Sequence, residues 1–152
     1  GSVYGLNKFP DQYDKLLANP DLIENFVPEV IRWQTPLAYM RRTATRDTEL
    51  RGKKIKKYDQ LLMWYLSANQ DEDVFTNANV LDIERHNADR QLSFGYGIHF
   101  CMGSRIAELQ LRIVWEEILK RFKRIEIQDE PERVFSSFVH GYSNLPVTVK
   151  RR

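Results

Sequence analysis

The chain has a single cysteine, Cys101, among its 152 residues. One thiol excludes an internal disulfide framework, which needs cysteines in pairs. No apolar run approaches the roughly 20 residues that a membrane-spanning helix needs. An excess of charge of one sign is also lacking, because 23 basic and 21 acidic side chains leave a net charge of +2. These absences favour a globular, soluble protein, and we expect it in the cytoplasm.

What is present fits one ordinary folded unit. Hydrophobic residues make up 42% of the chain and charged residues 29%, and a chain of this length can bury about 70% of its unfolded surface. Gly1 and Ser2 resemble the remnant of an expression tag, and the residues after them lack the charged start and apolar core of a signal peptide. We therefore expect the fold to lie within residues 3–152.

Three segments have the apolar spacing of amphipathic helices, namely 11–17, 21–33 and 104–122. Pro28 lies inside the second pattern and removes a backbone donor, so we expect that helix to restart there. The third pattern is the strongest in the chain. It carries so many apolar residues that we expect the helix to be mostly buried.

The remaining segments predict strands and one long irregular stretch. Residues 37–66 are β-like, with a turn at Arg51-Gly52-Lys53, and predict a small sheet of two or three strands. Residues 133–150 predict short strands around a glycine turn. Residues 67–93, called the meander below, are polar and irregular, and stretches of this length usually have a function. The fold class is therefore α+β, mainly α.

The sequence Phe94–Gly103, FGYGIHFCMG, places the one cysteine among three of the seven glycines. Gly95, Gly97 and Gly103 remove side chains from a tight turn, which lets a flat or bulky group approach the backbone. Cys101 also precedes the strongest predicted helix, where the positive end of the helix dipole favours thiolate over thiol.

Four roles are open to this thiol. It could be a small buried hydrophobe, as most free cysteines are. It could be a nucleophile with His99 as base, although two residues of spacing on a turn point the side chains apart. It could bind zinc together with His86, His99 and His140, although these lack the paired spacing of structural zinc sites. It could also be a ligand to iron in a macrocycle.

The last role matches a known family. The loop resembles the haem-binding loop of the cytochromes P450, and Glu29-x-x-Arg32 resembles the family's upstream helix pair, with both side chains on one helical face. The order of pair, meander, loop and long helix is also the family's. The chain from Asp11 onward is thus identified as a member, similar to the C-terminal haem-binding part. The loop residues that carry the resemblance are Phe94, Gly97, His99, Cys101 and Gly103.

The resemblance implies a role for each matching residue. The Cys101 thiolate would be the axial ligand of the iron in haem b (iron protoporphyrin IX) and would push electron density onto it. His99 and Arg41 would bind the haem propionates, and Glu29 and Arg32 would be a structural pair. The other haem-contacting residues would be Phe94, Gly95, Gly97, Gly103 and Ala107. The residues expected to line a substrate pocket, with plain core packing as the alternative, are Leu37, Ala38, Tyr39, Phe138, Val139 and His140.

Residues 27–50 and 92–122 are similar to the soluble bacterial members that hydroxylate alkanes and fatty acids at the terminal carbon. That similarity implies an apolar small-molecule substrate and electrons that pass from NAD(P)H through a ferredoxin reductase and a ferredoxin. Residues 41–57 hold eight cations against two acids, which would suit an acidic ferredoxin, although a solvated lysine-rich hairpin has the same composition. No aromatic interleaving supports nucleic-acid binding.

Three features depart from the family. The oxygen-activating run, A/G-G-x-D/E-T, is absent, so we expect no catalytic residue in this chain and regard it as a truncated member. Val80 aligns with the family's meander arginine, which Arg85 or Arg90 could replace. Tyr58 stands where relatives tend to have a turn glycine. Two further hypotheses are therefore a haem-binding module without turnover and a fragment that self-associates through exposed apolar surface.

Overall fold

The computed structural model describes residues 1–152. It contains five α-helices and eight short strands, in agreement with the class expected from the sequence. The helices are α1 (Ser2–Lys8), α2 (Pro10–Ala18), α3 (Ile23–Gln34), α4 (Tyr65–Ala68) and α5 (Ser104–Arg121). The strands are β1 (Tyr39–Thr43), β2 (Thr48–Leu50), β3 (Lys53–Ile55), β4 (Gln60–Trp64), β5 (Phe122–Ile127), β6 (Glu132–Arg133), β7 (Tyr142–Asn144) and β8 (Val147–Arg151).

The three helices predicted from apolar spacing are all present, as α2, α3 and α5. A short 3₁₀ turn, Pro20–Leu22, leads into α3, and the Asn19 side chain caps it by accepting the Asp21 N–H at 3.2 Å. Helix α1 was not predicted. Ser2 begins this helix, and the Gly1 carbonyl accepts the Gly5 N–H at 2.8 Å, so both N-terminal residues take part in the helix or its cap.

The expected restart at Pro28 is wrong, because α3 runs without a break from Ile23 to Gln34. A proline at this position removes only the hydrogen bond to the carbonyl of Glu24. Glu24 is exposed in the first turn of the helix, where water can replace that donor. Packing of the apolar face then keeps the helix continuous.

The core lies where α2 and α3 meet α5. Trp115 of α5 is 1% exposed, and its ring stands edge-on to Tyr13 and Phe26, with centroids 6.0 and 5.3 Å apart. These edge-to-face contacts are the favourable geometry for aromatic pairs. Leu81 and Ile83 add the meander to the same cluster. The core therefore connects the helix of the Glu29–Arg32 pair to the helix that follows the cysteine.

Residues 39–64 form strands as predicted, but Tyr65 and Leu66 begin helix α4 instead of ending a strand. The expectation of one small sheet is also wrong. β1 pairs with β4 and β2 pairs with β3, both antiparallel, as two separate ladders. Between them, the N–H groups of Lys56 and Lys57 donate to the side chains of Asp59 and Asp47 instead of to the opposite strand. The long hairpin from β1 to β4 is therefore interrupted between its two ladders. Tyr58 lies at the interruption with φ of 74°, so the tyrosine adopts the left-handed backbone that glycine favours.

The last part of the chain also forms short strands, as predicted. β5 pairs with β8, and β6 pairs with β7, again antiparallel. An isolated bridge between Leu37 and Val139 joins this part to the segment before β1. After the end of α4 at Ala68, the meander is irregular as predicted, with one 3₁₀ turn at Ala88–Arg90. None of the helices combines the length and the apolar character that crossing a membrane requires.

The expectation that α5 is mostly buried is wrong. Only Ser104, Trp115 and Leu119 of its 18 residues are buried. The opposite side presents Ile106, Leu109, Ile113 and Val114, which are 43–63% exposed. An apolar helix is buried only where other elements cover it, and the main contacts of α5 are with α3 and β5.

Candidate functional site

The loop that carries Cys101 is held by its own backbone. The Cys101 N–H donates to the Phe94 carbonyl at 2.9 Å, which closes the loop. Gly95 and Gly97 have φ of 77° and 72°, a conformation that only glycine adopts readily. At Gly95 a Cβ would also lie 3.1 Å from the Tyr65 hydroxyl. Glycine is therefore required at both positions, at Gly95 by conformation and by space.

Cys101 is exposed, so the interpretation of its thiol as a small buried hydrophobe is wrong. It lies three residues before Ser104, the first residue of the 18-residue α5. The thiolate is the form of a cysteine that binds metals. No group of three or more His, Cys, Asp or Glu side chains is placed to hold a metal ion, so the three histidines do not gather around the thiol.

The thiol opens into an apolar cleft of about 520 Å³. Eight of the 13 residues that line the cleft are hydrophobic, and they come from the end of α3, from β1, from the cysteine loop and from α5. Two basic side chains, Arg42 and His99, line it together with Cys101. The cleft is thus an apolar space with one thiol and two basic side chains at its surface.

A larger groove, of about 820 Å³, lies elsewhere and has a different character. It runs between the α2–α3 region and α5, and only three of its ten lining residues are hydrophobic. Asp21, Glu24, Glu116 and Lys120 contribute charge to it, and it contains neither the thiol nor a histidine. Size alone therefore does not identify the site, and the chemistry is in the smaller cleft.

Most of the residues expected around the cofactor meet at this cleft. Gly97 and Gly103 do not line it but shape the loop behind it, and a Cβ at Gly103 would lie 3.8 Å from the Cys101 sulfur. The expected residues that do line it are Cys101, His99, Phe94, Gly95, Ala107 and Leu37.

Arg41 lies outside the cleft, and its neighbour Arg42 lies inside. Side chains alternate between the two faces of a strand, so Met40 and Arg42 share the face of β1 that lines the cleft. Arg41 points the other way and its guanidinium donates to Gln60 of β4 at 3.3 Å. The structure thus assigns to Arg42 the position at the cleft that the sequence interpretation gave to Arg41.

The other five expected pocket residues lie beside the cleft and not in its wall. Ala38 is buried, and its N–H donates to the Phe138 carbonyl at 2.9 Å. The Tyr39 ring packs on Trp64 and Phe138, with centroids 4.9 and 5.6 Å apart. Val139 bridges to Leu37. The ring nitrogen Nδ1 of His140 lies 2.6 Å from the Gln34 carbonyl. Together these residues fix Leu37, which does line the cleft.

Glu29 and Arg32 form a fully buried ion pair on α3. The guanidinium is bidentate, with Nε and Nη2 each 2.8 Å from a carboxylate oxygen. Arg85 of the meander donates Nε to both oxygens of the same carboxylate at 3.1 Å. Arg85, and not Arg90, therefore supplies the third member of the cluster. Val80 takes part through its carbonyl, which accepts from both arginines at 3.1 Å.

The sequence interpretation missed Asn69, which is 0% exposed. Its carbonyl accepts the Arg32 Nη1 at 2.6 Å, and its amide side chain contacts Thr35, Leu92 and Ser93. A single asparagine in a polar, irregular stretch gives no periodic signal. Only its position after the predicted apolar strand could have indicated that it is buried.

The chain is similar to known proteins over nearly its whole length. Residues 6–149 match the family described as Cytochrome P450. The chain is 40% identical over 147 residues to Cytochrome P450-terp of a Pseudomonas species, covering 97% of this chain and 34% of that protein. It is 39% identical over 148 residues to a methyl-branched lipid omega-hydroxylase of Mycobacterium bovis, covering 96% of this chain and 34% of that protein.

A solved structure agrees with the sequence matches. The structure of Cytochrome P450-153 from Novosphingobium aromaticivorans superposes with a TM-score of 0.94 at 52% identity, covering 99% of this chain and 38% of that one. The chain therefore spans about a third of the length of the relatives that it matches. The cysteine loop, the buried Glu29–Arg32–Arg85 cluster and these matches lead to one conclusion: the chain belongs to the cytochrome P450 family, of which it is a partial segment.

Proposed function

We propose that this chain is the haem-binding part of a cytochrome P450 monooxygenase. The observation that carries the proposal is the exposed Cys101 thiol at the edge of an apolar cleft that also presents two basic side chains. The whole protein would catalyse R–H + O₂ + 2e⁻ + 2H⁺ → R–OH + H₂O. The chain itself is proposed to hold and orient the cofactor, since the expected acid and threonine pair is absent from its sequence.

The residues of the cleft fit haem b in three respects. Its walls are mainly apolar, which suits a flat macrocycle. The Cys101 thiolate would ligate the iron, and a thiolate ligand favours O–O cleavage there. Arg42 and His99 would donate to the propionate carboxylates, and charge-assisted hydrogen bonds of this kind are the stronger ones. When bound, haem supplies the iron at which oxygen is reduced.

The proposed substrate is an apolar small molecule that is hydroxylated at a terminal carbon. Leu37 and Met40 give the cleft an apolar wall beside the thiol. The name of one relative, a methyl-branched lipid omega-hydroxylase, is consistent with this position of attack. Hydrophobic pockets recognise alkyl chains by burial of apolar surface, so a medium-chain alkane or fatty acid is the proposed class.

A ferredoxin is the proposed electron donor, itself reduced by NAD(P)H through a reductase. The β2–β3 hairpin and its flanks expose Arg46, Arg51, Lys53 and Lys54, which would attract an acidic partner. Rate constants for electrostatically steered association fall with ionic strength. A steep salt dependence of reduction, lost on charge reversal of Lys53 and Lys54, would test this partner. The whole protein is proposed to be cytoplasmic.

Two alternatives to a role in monooxygenase turnover remain. The chain could bind haem without any monooxygenase activity, because it spans only about a third of the length of the relatives that it matches. It could also associate with itself through the exposed side of α5, where Ile106 and Ile113 are 63% and 48% exposed. The reduced-CO absorption spectrum shows whether the chain binds haem, and sedimentation measures self-association.

The testing experiment is an absorption spectrum of the chain with added haem, reduced by dithionite under carbon monoxide. Thiolate ligation is expected to displace the reduced-CO Soret band to the red, and Cys101→Ser is expected to abolish the displacement. Met102→Ser is the matched control, because Met102 is adjacent and 100% exposed. A histidine-like spectrum, or a displaced band that survives in Cys101→Ser, would overturn the assignment of Cys101.

A further inference from the structure

Asn69 lies at the end of α4, between the Glu29–Arg32 helix and the segment that leads into the cysteine loop. Its side-chain nitrogen donates to the hydroxyls of Thr35 at 2.8 Å and of Ser93 at 2.9 Å. Its side-chain oxygen accepts the Leu92 N–H at 2.7 Å. Because the residue is 0% exposed, water cannot replace these contacts. All of its polar side-chain atoms are therefore used to join three segments.

The direction of these hydrogen bonds is fixed by the partners. The Thr35 hydroxyl donates to the Arg32 carbonyl at 2.6 Å, and the Ser93 hydroxyl donates to the Ile31 carbonyl at 2.8 Å. A hydroxyl has one proton, so both can only accept from Asn69. An aspartate of the same shape has no proton to give when ionised, and its second oxygen would face two acceptors. The site therefore requires an amide and not merely a side chain of that size.

The contacts of Asn69 continue into the cysteine loop. The Leu92 carbonyl accepts the Gly95 N–H at 2.8 Å, and the Phe94 carbonyl accepts the Cys101 N–H at 2.9 Å. Leu92 is thus fixed at its N–H by Asn69 and at its carbonyl by the first turn of the loop. On the other side, the Asn69 carbonyl is bonded to Arg32. This is a continuous path from the buried ion cluster to the backbone of the cysteine.

We propose that Asn69 is a positioning residue that holds the Cys101 loop in register with α3, so that the thiol stays at the cleft. The part of this proposal that concerns haem rests on the proposed function above. The part that concerns the loop is independent of any cofactor. Asn69 does not line the cleft, so it acts through Leu92 and Ser93 and does not touch the reacting atoms.

The first test is amide hydrogen exchange in the chain without cofactor. Asn69→Ala and Asn69→Asp are both expected to speed exchange at Gly95 and Cys101 about tenfold or more, because buried partners lose their hydrogen bonds. Asn7→Ala is the matched control: Asn7 also bonds through both side-chain atoms, to Val3, Ile125 and Ile127, but far from the loop along the chain. Should the Asn69 variants fail to fold, Ser93→Ala removes one of the partners and is expected to act at the same amides.

The proposal would be overturned if Asn7→Ala raised the amide exchange rate at Cys101 as much as the Asn69 variants do. It would also be overturned if none of the Asn69 and Ser93 variants raised that rate. The second test is the reduced-CO spectrum with haem, in which Asn69→Asp is expected to lower the fraction of the red-displaced band while Asn7→Ala leaves it unchanged. If the unmodified chain shows no such band, the proposed haem function of this chain fails. The exchange result still decides the role of Asn69 in that case.

Discussion

Arg85 and Glu29, 56 residues apart in sequence, form a buried ion pair in which the arginine Nε lies 3.1 Å from both carboxylate oxygens. The same carboxylate accepts the bidentate Arg32 and the Asp82 N–H. The other nitrogens of Arg85 donate to the carbonyls of Thr76, Asn77 and Val80. One guanidinium thus fixes both α3 and several turns of the meander.

Arg85→Ala is expected to lower the free energy of unfolding by about 3–5 kcal/mol, because it leaves a buried carboxylate short of one positive partner and several carbonyls without a donor. Urea denaturation followed by circular dichroism measures this loss. Arg90→Ala is the control, since Arg90 is exposed and its side chain makes no hydrogen bond or ion pair. Equal losses in the two variants would contradict the assignment of Arg85 as the third member of the cluster.

The helices and strands were largely predictable, and the errors have physical causes. Apolar periodicity locates α2, α3 and α5, because the period of a pattern follows from helix geometry. Pro28 misled the prediction, because packing of its apolar face keeps α3 continuous through a proline whose lost hydrogen bond is to the exposed Glu24. The exposure of α5 was not predictable from its own residues, because burial depends on which other elements cover a face.

The site was predictable where the family's motif fixes a residue and not where contacts depend on the path of the chain. Cys101 and His99 lie at the cleft because they are in one short loop. Arg41 and Arg42 are adjacent, and only the register of β1 with β4 decides which of them faces the cleft. Arg85 and Asn69 lie in an irregular stretch, where no period relates sequence position to direction.

The turn between β2 and β3 is expected to become more stable with Arg51→Asn. Arg51 and Gly52 have φ of 48° and 76°, which are the angles of the two central residues of a tight hairpin turn in which Asn-Gly is preferred. The gain is about 0.5–1 kcal/mol, because asparagine tolerates the left-handed region better than arginine. Slower amide exchange of Thr48 and Ile55 would show it, because in the alternation of the antiparallel ladder this pair, like Leu50 and Lys53 next to the turn, directs its N–H groups at the partner strand. Lys53→Asn, in a strand without positive φ, is expected to speed that exchange, and a gain from both substitutions would contradict the conformational explanation.

Self-association of the chain is expected to depend on the exposed side of α5. Ile106 and Ile113 are seven residues apart on the same side of the helix, so the double substitution to glutamine removes one apolar strip. The dissociation constant is expected to rise about tenfold or more, measured by sedimentation equilibrium. Leu50→Gln is the control, since Leu50 is 62% exposed on the distant β2–β3 hairpin. An unmodified chain that stays monomeric, or an equal effect of Leu50→Gln, would contradict this surface.

Tyr13 is expected to make the stability of the fold fall at high pH. Burial raises the pKa of its phenol above the ordinary value, and the Ile125 N–H and the Arg124 guanidinium offset this only in part. The unfolded chain loses the phenol proton near pH 10, while the folded chain still holds it. The stabilising contribution is therefore complete below about pH 10 and is lost as the pH rises through the folded-state pKa.

Tyr13→Phe tests this directly. At neutral pH the variant is expected to lose about 1–3 kcal/mol, because the buried N–H of Ile125 loses the hydroxyl that accepts it at 3.0 Å. At about pH 11 the difference between the two proteins is expected to shrink, since the unmodified chain has by then lost part of the contribution of Tyr13. Urea denaturation of both proteins at the two pH values measures the difference in the free energy of unfolding. All other titratable groups are the same in both proteins, so their contributions cancel in that difference. A difference that stays constant or widens with pH would mean that the folded-state pKa of Tyr13 is not raised.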